Sequence, residues 1–260
     1  MKILFTKYQG TGNDFILIDN RTGRFPKENI KLIQRLTDRK FGIGADGLML
    51  VEGHEQHDLD FLMTYYNADG SQSLCGNGSR CAIHFAHSLG MIDETTTFET
   101  TDGVHEAFIK DNLVHFQLHD VANVGPFKKH TFVNTGSPHH VEIVSDVTNY
   151  NVFENGSRIR NSALYAPEGT NVNFMELTDN GIKVRTFERG VEDETLSCGT
   201  GVTAAALAAN ALGKQSPINI QTLGGELSVS FIKTSENQFT KIFLAGPATK
   251  VFDGEIDVEF

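Results

Sequence analysis

Disulfide frameworks, membrane spans and export signals are all missing from this sequence. The chain has only 3 cysteines, an odd number that does not build a disulfide framework. Its longest uncharged, mostly apolar stretch, Val202 to Gly213, is far too short to span a membrane. The N-terminal run MKILFTKYQG is too weakly apolar for a signal peptide. We therefore expect a cytoplasmic protein with free thiols and no membrane partner.

Positive charge is also scarce. The chain has 22 Lys and Arg against 33 Asp and Glu, which gives a formal net charge of −11. An acidic chain without a long basic run repels phosphate backbones, so we expect no nucleic acid partner.

The usual metal and cofactor motifs are missing as well. The cysteines lack C-x2-C spacing and no H-x3-H pair lies beside them, which argues against zinc. The sequence has no C-x-x-C redox motif, no G-x-G-x-x-G fingerprint and no evident context for a pyridoxal-phosphate lysine. We expect neither a metal nor a cofactor.

What the chain does have is an internal repeat. SLCGNGSRCAIHFAHSLG around Cys75 resembles LSCGTGVTAAALAANALG around Cys198, and both end in Leu-Gly at the same distance from the cysteine. Three further fragments recur in the same order: GTGNDFILI as NTGSPHHVEIV, LDFLMTYYN as IKVRTFE, and ETTDGVHEAFI as IQTLGGELSVSF. Four matches in register favour a duplicated lobe.

The repeat predicts two lobes, at residues 1–120 and 121–249, with a boundary near Val121 to Gly125. A C-terminal strand at about 250–260 can pack back on the first lobe. Alternating and β-branched segments predict mostly antiparallel strands. Helices are expected at Pro26 to Asp38 and after each C-G-x-G turn. The predicted strands are 15–19, 59–66, 96–100, 104–109, 113–118, 182–187, 227–232 and 241–244.

The two C-G-x-G turns carry the chemistry. Glycines permit a tight turn and leave backbone N–H groups bare at the start of the following helix, where the dipole favours anions. A cysteine there has its thiolate stabilised, and the same N–H groups can hold a carboxylate. Two such thiols facing one another across a cleft suit inversion of a Cα–H centre, which needs a base on one face and an acid on the other. Cys81 has no counterpart in the second turn, where Ala204 stands, and is expected to be a small buried hydrophobe.

Six blocks of the chain resemble the diaminopimelate epimerase family, in family order and over essentially the whole length. They are KYQGTGNDFILID, GIGADGLMLVE, YYNADGSQSLCGNGSRCA, GSPHHV, GTNVNF and ERGVEDETLSCGTGVTAAA. The resemblance implies a fold of two similar α/β lobes, each a mostly antiparallel sheet wrapped around a central helix, with the active site between them. It also implies interconversion of L,L- and meso-diaminopimelate without metal or cofactor, for lysine and peptidoglycan precursor synthesis.

The resemblance assigns roles to residues by motif. It implies that Cys75 and Cys198 are the catalytic pair and that His139 and Glu188 set the protonation of the thiols. The implied substrate-binding residues are Asn13, Asn67, Gly76, Asn77, Ser137, Asn171, Glu188, Arg189, Gly199 and Thr200.

Each of these residues also has a purely structural interpretation. Asn13 and Asn67 suit turns, and Asn171 suits the edge of a strand. Glu188 and Arg189 can form a solvated surface pair, and His139 can be a core histidine. The repeat favours the functional interpretation, because Asn67 and Glu188 end equivalent strands shortly before the two cysteines.

The sequence departs from the family pattern at two positions. Ser137 stands where an asparagine is common, and Gly47 stands where some members have glutamine. The serine offers one hydroxyl in place of an amide, which affects recognition of the substrate's distal group.

Two other functions remain open at this stage. A racemase of another amino acid would use the same two-cysteine scaffold, and a non-enzymatic binding protein would bind the amino acid without exchanging its α-hydrogen. The expected partner in each case is a small molecule, and the sequence leaves a homodimer open.

Overall fold

The structure is a computed structural model that describes residues 1–125 and 129–258. It confirms the predicted mixed α/β class, with strands far outnumbering helices. The first part of the chain forms β1 (Lys2–Gly10), β2 (Asn13–Asp19), α1 (Ile30–Thr37), β3 (Gly47–Gly53), β4 (Phe61–Asn67), α2 (Gly76–Ser88), β5 (Thr95–Thr100), β6 (Gly103–Lys110) and β7 (Leu113–Leu118). The second part forms β8 (His130–Asn134), β9 (Pro138–Ile143), α3 (Val152–Arg160), β10 (Asn171–Thr178), β11 (Gly181–Glu188), β12 (Asp193–Thr195), α4 (Gly199–Asn210), β13 (Ile218–Thr222), β14 (Gly225–Ser235), β15 (Gln238–Gly246) and β16 (Thr249–Asp257).

The chain divides into two compact units. Unit 1 comprises Met1–Phe116 and Gly246–Phe260, and unit 2 comprises Gln117–Ala245. The last strand, β16, pairs antiparallel with β1 and so adds to the sheet of unit 1. The final two residues of the predicted segment 250–260 lie outside the described residues. The lobe ranges 1–120 and 121–249 stay a prediction.

The two units repeat one succession of strand pairings. In unit 1, β1–β2 is antiparallel, β2–β3 parallel, β3–β4 antiparallel, β4–β5 parallel, and β5–β6 and β6–β7 antiparallel. In unit 2, β8–β9 is antiparallel, β9–β10 parallel, β10–β11 antiparallel, β11–β13 parallel, and β13–β14 and β14–β15 antiparallel. The short strand β12 is an addition to β11 in unit 2. The repeat seen in the sequence is therefore a repeat of topology.

A buried helix lies at the centre of each unit. In unit 1, α2 contacts the four strands β1 to β4, and in unit 2, α4 contacts strands β8 to β11, β13 and β14. Most of α2 is buried, and α4 is buried almost all round. Because α4 is built mainly of Gly, Ala and Val, its backbone can approach the surrounding strands closely. A helix that is apolar on every side is typical of a core position.

The outer faces of the sheets carry the other two helices. In unit 1, Leu32, Ile33 and Leu36 of α1 pack on Ile16 and Leu48. In unit 2, Val152 and Ile159 of α3 pack on Val172, Phe174 and Phe187. Alternate residues of a strand point to opposite faces, so the neighbours of these outer residues point toward α2 or α4.

The helix predicted at Pro26 to Asp38 begins later than the sequence indicated. Its N-cap is Asn29, whose side chain accepts a hydrogen bond from the Leu32 N–H at 3.1 Å. Pro26 lies in the preceding turn, where its carbonyl accepts from the Asn29 N–H. The asparagine cap, rather than the proline, sets the start of the helix. No helix within 1–125 or 129–258 combines the length and apolar character needed to cross a membrane.

Candidate active site

Cys75 is the N-cap residue of the central helix of unit 1. Its backbone is extended, with φ −128° and ψ 110°, and its Sγ accepts a hydrogen bond from the Gly78 N–H at 3.4 Å. The side chain is half-buried, and the first turn of α2 contains no acidic residue. The sulfur therefore lies at the positive end of the helix dipole, which favours its thiolate form.

Cys198 holds the matching position in unit 2. It is the N-cap residue of α4, with φ −112° and ψ 112°, and is 7% exposed. Its Sγ makes no capping bond to the helix but lies 3.5 Å from the Thr200 Oγ1. Both predicted C-G-x-G turns thus begin helices with the cysteine as the cap, and they differ in which group contacts the sulfur.

His139 lies on β9, beneath the Cys198 turn. It is fully buried, and its Nε2 is 3.0 Å from the Thr200 Oγ1. Burial, together with the charge of Arg189, lowers the pKa of His139 to about 3. The imidazole is therefore neutral at pH 7, and Thr200 connects it to the sulfur of Cys198.

The predicted substrate-binding amides of unit 1 are held by one another. The Nδ2 of Asn77 donates to the Oδ1 of Asn13 at 2.5 Å, and the Nδ2 of Asn13 donates to a carboxylate oxygen of Asp46 at 3.0 Å. Asp46 is in turn paired with Arg39 at 2.7 Å. The orientation of Asn13 is therefore fixed by charged groups. Gly76 and Asn77 form the first turn of α2, and both are buried.

Asn67 ends β4 and orders the turn that leads to Cys75. Its Nδ2 donates to the Ser71 Oγ at 3.0 Å and to the Ser73 Oγ at 3.1 Å. Its backbone N–H donates to the Ser71 carbonyl at 2.8 Å. The turn-forming interpretation of Asn67 is thus part of its role, whatever it binds.

Asn171 connects two segments of unit 2. Its Oδ1 accepts from the Arg189 N–H at 2.9 Å, and its Nδ2 donates to the Pro138 carbonyl at 3.1 Å. Glu188 ends β11, and Arg189 follows it with one guanidinium N–H on the Glu168 carbonyl at 3.3 Å. Asn171 thereby fixes the backbone from which the Arg189 side chain extends.

The two departures from the family pattern, Ser137 and Gly47, lie close to predicted site residues in the fold. Ser137 is half-buried just before β9, and its carbonyl accepts from the Thr135 N–H at 3.1 Å. A side chain at Gly47 would overlap the ring of Tyr65 and the carbonyl of Tyr66. The Tyr65 ring therefore takes space that a side chain at this position would need.

Gly199 and Thr200 form the first turn of α4.

Arg80 is a functional candidate that the sequence analysis missed. It is fully buried on α2, and its hydrogen bonds go only to neutral oxygens, at 3.1 Å to the Thr11 Oγ1 and 3.5 Å to the Gly76 and Pro247 carbonyls. Burial lowers its pKa to about 10, while negative charge on Cys81 or Cys75 acts in the opposite direction. No carboxylate of the described residues pairs with it. The signal in the sequence was the arginine in CGNGSRC, which is a charged residue one turn inside a helix whose first turn is built mostly of small residues.

Two more residues, Asn173 and Thr186, were missed in unit 2. Both are buried and point toward α4, where a side chain at Gly201 would overlap the Oδ1 of Asn173. The neighbouring residues Asn171 and Glu188 were predicted from motifs, whereas Asn173 received no role and Thr186 fell inside the predicted strand 182–187. Cys81 is fully buried, and burial raises the pKa of its thiol to about 12.

Comparison with known proteins identifies the family of this chain. The profile of the family described as diaminopimelate epimerase matches residues 5–122 and 131–251. A diaminopimelate epimerase of Flavobacterium psychrophilum is 52% identical over 256 residues, which cover 96% of this chain and 98% of that protein. One of Hydrogenobaculum sp. is 42% identical over 281 residues, which cover 99% of each chain.

Solved structures share the fold at much lower identity. A phenazine biosynthesis protein of the PhzF family from Bacillus anthracis has a TM-score of 0.74 at 16% identity, covering 99% of this chain and 100% of that one. A probable proline racemase from Agrobacterium radiobacter has a TM-score of 0.68 at 13% identity, covering 99% and 93%. The extent of the profile match and the identity to the curated relatives show that this chain belongs to the diaminopimelate epimerase family.

Proposed function

We propose that this protein interconverts L,L- and meso-diaminopimelate by moving a proton at one α-carbon between two cysteines. The observation that carries the proposal is the paired helix start, with Cys75 as the N-cap of α2 and Cys198 as the N-cap of α4. The full-length similarity to diaminopimelate epimerases supports the choice of substrate.

The chemistry needs one thiolate and one thiol. The thiolate removes the α-proton from one face, and the thiol delivers its own proton to the opposite face, so the pair ends in the reversed protonation state. In the reverse direction the two cysteines exchange roles. Bare N–H groups at a helix start can hold the substrate carboxylate and stabilise the charge that develops on it. Gly76 with Asn77 and Gly199 with Thr200 supply these starts.

The remaining predicted residues suit the distal amino-acid group of the substrate. Arg189 offers a planar fork for a carboxylate, and Asn171 fixes its backbone. Asn13, Asn67, Ser137 and Glu188 offer amide, hydroxyl and carboxylate groups for the remaining polar atoms. His139 and Glu188 are proposed to adjust the protonation of the thiols.

We place this activity in lysine and peptidoglycan precursor synthesis in the cytoplasm. The substrate is a small biosynthetic amino acid, which is the basis for that placement. A homodimer stays a prediction, which sedimentation of the purified protein would test.

An epimerase assay in deuterated water tests the mechanism. With two separate proton donors and acceptors, the new epimer should carry solvent deuterium from the first turnovers, while the remaining starting epimer stays largely protonated. Replacing either Cys75 or Cys198 with alanine should lower turnover at least about 100-fold, or about 3 kcal/mol in the barrier.

Cys81→Ala is the matched control, because this third thiol is buried and should leave turnover within a few-fold of the unaltered enzyme. Activity on a mono-amino acid with none on diaminopimelate would show instead a racemase on the same scaffold. Appreciable turnover in either active-site alanine variant would remove that cysteine from the mechanism.

A further inference from the structure

Four polar side chains form a continuous hydrogen-bonded chain beneath Cys198. The Thr186 hydroxyl lies 2.9 Å from the Asn173 Oδ1, the Asn173 Nδ2 lies 3.1 Å from the His139 Nδ1, and the His139 Nε2 lies 3.0 Å from the Thr200 Oγ1. The Thr200 Oγ1 is in turn 3.5 Å from the Cys198 Sγ. We call Thr186, Asn173, His139 and Thr200 the donor chain; the first three are buried and Thr200 is half-buried.

The direction of this chain is fixed at Asn173. Its Nδ2 also lies 2.9 Å from the His140 carbonyl, which can only accept a hydrogen bond. The amide must therefore point its nitrogen toward His140 and His139, and its oxygen accepts from the Thr186 hydroxyl. It follows that the second N–H of the amide donates to the His139 Nδ1.

A neutral imidazole carries one proton, so the acceptor role of Nδ1 places that proton on Nε2. His139 is neutral at pH 7 because burial and the charge of Arg189 hold its pKa at about 3. The Nε2–H then donates to the Thr200 oxygen. The hydroxyl proton of Thr200 is left to point at the sulfur of Cys198, where it stabilises negative charge.

Unit 1 has no such chain at the matching positions. The register pairs Asn173 with Thr186 in unit 2 and Met49 with Tyr65 in unit 1. The parallel strand pairs match in the same way. His139 on β9 is opposite Asn171 on β10 in unit 2, and Phe15 on β2 is opposite Gly47 on β3 in unit 1. Unit 1 therefore has Phe15, Met49 and Tyr65 where unit 2 has His139, Asn173 and Thr186, and it forms the same pairings without the histidine and the amide. Buried polar groups cost free energy unless every one is bonded, so the donor chain is not needed for the fold itself.

We propose that Asn173 is a positioning residue for the reaction: it holds His139 in the Nε2–H tautomer, so that Thr200 donates to Cys198 and favours its thiolate form. Thr186 supports Asn173 by binding its amide oxygen. The role of the thiolate as a base rests on the proposed function, but the direction of the donor chain does not. Orientation of an active-site imidazole by the group on its other nitrogen is a known device of metal and hydrolase sites.

The tautomer of His139 is the first test, and it needs no variant. Nitrogen NMR of the ¹⁵N-histidine-labelled protein, assigned by comparison with His139→Gln, should show a protonated Nε2 and an unprotonated Nδ1 at pH 7. A proton on Nδ1 in the unaltered protein would overturn the proposal.

The second test reverses the chain with a substitution of the same shape. In Asn173→Asp, a carboxylate oxygen faces the Nδ1, which should take the proton and leave Nε2 to accept from Thr200. The Thr200 hydroxyl then points away from the sulfur. In a Cys75→Ala, Cys81→Ala background, where Cys198 is the one remaining thiol of the chain, the pH midpoint of iodoacetamide alkylation should rise by about one unit or more.

Two further variants separate this effect from charge and from packing. Asn173→Leu removes the donor without adding a carboxylate and should raise the midpoint by a smaller amount. Thr131→Val is the matched control, because Thr131 is also a buried threonine of unit 2 but donates to the Gly125 carbonyl at 2.7 Å, away from the chain. It should leave the midpoint unchanged.

The outcomes distinguish this proposal from the proposed function. If folded Asn173→Asp and Asn173→Leu variants show the same pH midpoint of Cys198 alkylation as the unaltered residue, and the enzyme epimerises diaminopimelate, the proposed function stands and the positioning role of Asn173 is wrong. If the pH midpoint of Cys198 alkylation shifts as expected but the protein does not epimerise diaminopimelate, the role of the donor chain stands and the proposed function is wrong.

Discussion

The two units surround the same cysteine turn with opposite kinds of interior. In unit 1, the positions that match the donor chain hold Phe15, Met49 and Tyr65, and α2 carries the buried cation Arg80. Beneath the Cys198 turn of unit 2 lie neutral dipoles, and Thr203 stands where unit 1 has the arginine. Both thiols have the helix dipole in common. What is added to the dipole is a charge in one unit and an oriented hydrogen bond in the other.

This difference has a physical consequence for each thiol. A buried charge acts on any nearby anion and depends little on its orientation, whereas a hydrogen-bond chain acts only when every donor points the right way. We therefore expect Cys75 to respond to the loss of one cation, and Cys198 to respond to changes in the protonation and packing of its neighbours.

Acid should destabilise unit 2 first. Burial and the nearby charge of Arg189 lower the pKa of His139 to about 3, and burial with the neighbouring His130 lowers the pKa of His140 to about 4, both from an ordinary value of 6.5. These bases stay neutral in the native state while the unfolded chain becomes protonated. Their contribution to stability is therefore complete above about pH 6.5 and is lost as the pH falls toward the native values. Together the two histidines should lower the free energy of unfolding by roughly 4 kcal/mol between pH 7 and pH 5.

Unit 1 should lose stability at lower pH. Burial raises the pKa of Asp14, but hydrogen bonds from Arg39 and Lys7 outweigh it and lower the pKa to about 2, from an ordinary value of 3.8. Such a carboxylate contributes its full stability above pH 3.8 and loses it below. His84, which is half-buried with a pKa lowered mainly by burial, adds a smaller effect nearer neutrality.

Amide hydrogen exchange checks this prediction by following each unit separately. Between pH 7 and pH 5, after correction for intrinsic exchange, the amides of α4 should lose more protection than those of α2. His140→Gln serves as a control and should remove about half of the difference. Equal loss of protection in both helices would contradict the contrast between the units.

Of the two cysteines that cap helices, removing the buried cation should affect Cys75 and not Cys198. In a Cys81→Ala, Cys198→Ala background, Arg80→Met should raise the pH midpoint of Cys75 alkylation by about two units. The charges of Arg80 and Cys75 interact, and an opposite charge close to an ionisable group shifts its pKa by about 1–3 units toward the charged form. Arg80→Lys keeps the charge and should shift the midpoint by less than half as much.

The same substitution measured on Cys198 provides the comparison. In a Cys75→Ala, Cys81→Ala background, Arg80→Met should leave the midpoint of Cys198 unchanged. If a folded Arg80→Met protein kept its Cys75 profile, the helix terminus alone would account for the reactivity of that thiol.

The contrast between the units also shows which site residues could be predicted from the sequence and which could not. The C-G-x-G turns and the repeat were visible because turn chemistry is local and because two copies confirm each other. The strands that end in Asn67 and Glu188 were predicted for the same reason. Asn173 was missed because Val172, Asn173 and Phe174 are all buried, and a strand buried on both faces gives no alternation that identifies the side facing α4. Arg80 was missed because a charge in a helix is usually exposed, and only the surrounding sheet buries this one.

The smallest expected effect compares two equivalent glycines, one in each unit. A Cβ at Gly78 of α2 would overlap the terminal methyl of Met49, while a Cβ at Gly201 of α4 would overlap the Oδ1 of Asn173. Met49 ends in a flexible thioether that can move aside, so Gly78→Ala should change the free energy of unfolding by less than about 1 kcal/mol. Asn173 is held by Thr186, His139 and His140, so Gly201→Ala should cost about 1–3 kcal/mol.

Urea unfolding of both variants measures this difference, and a double-mutant cycle identifies its cause. If the overlap with the amide produces the cost, Gly201→Ala should be milder in an Asn173→Ala background than alone, because the smaller side chain leaves room for the new methyl group. The Gly78→Ala and Met49→Ala pair should show little coupling, since Met49 already gives way. Equally small coupling at both sites would mean that the amide of unit 2 is as free to move as the methionine of unit 1. An amide that moves so easily could not hold an imidazole in one tautomer, so this comparison of two methyl groups also tests the rigidity on which the donor chain depends.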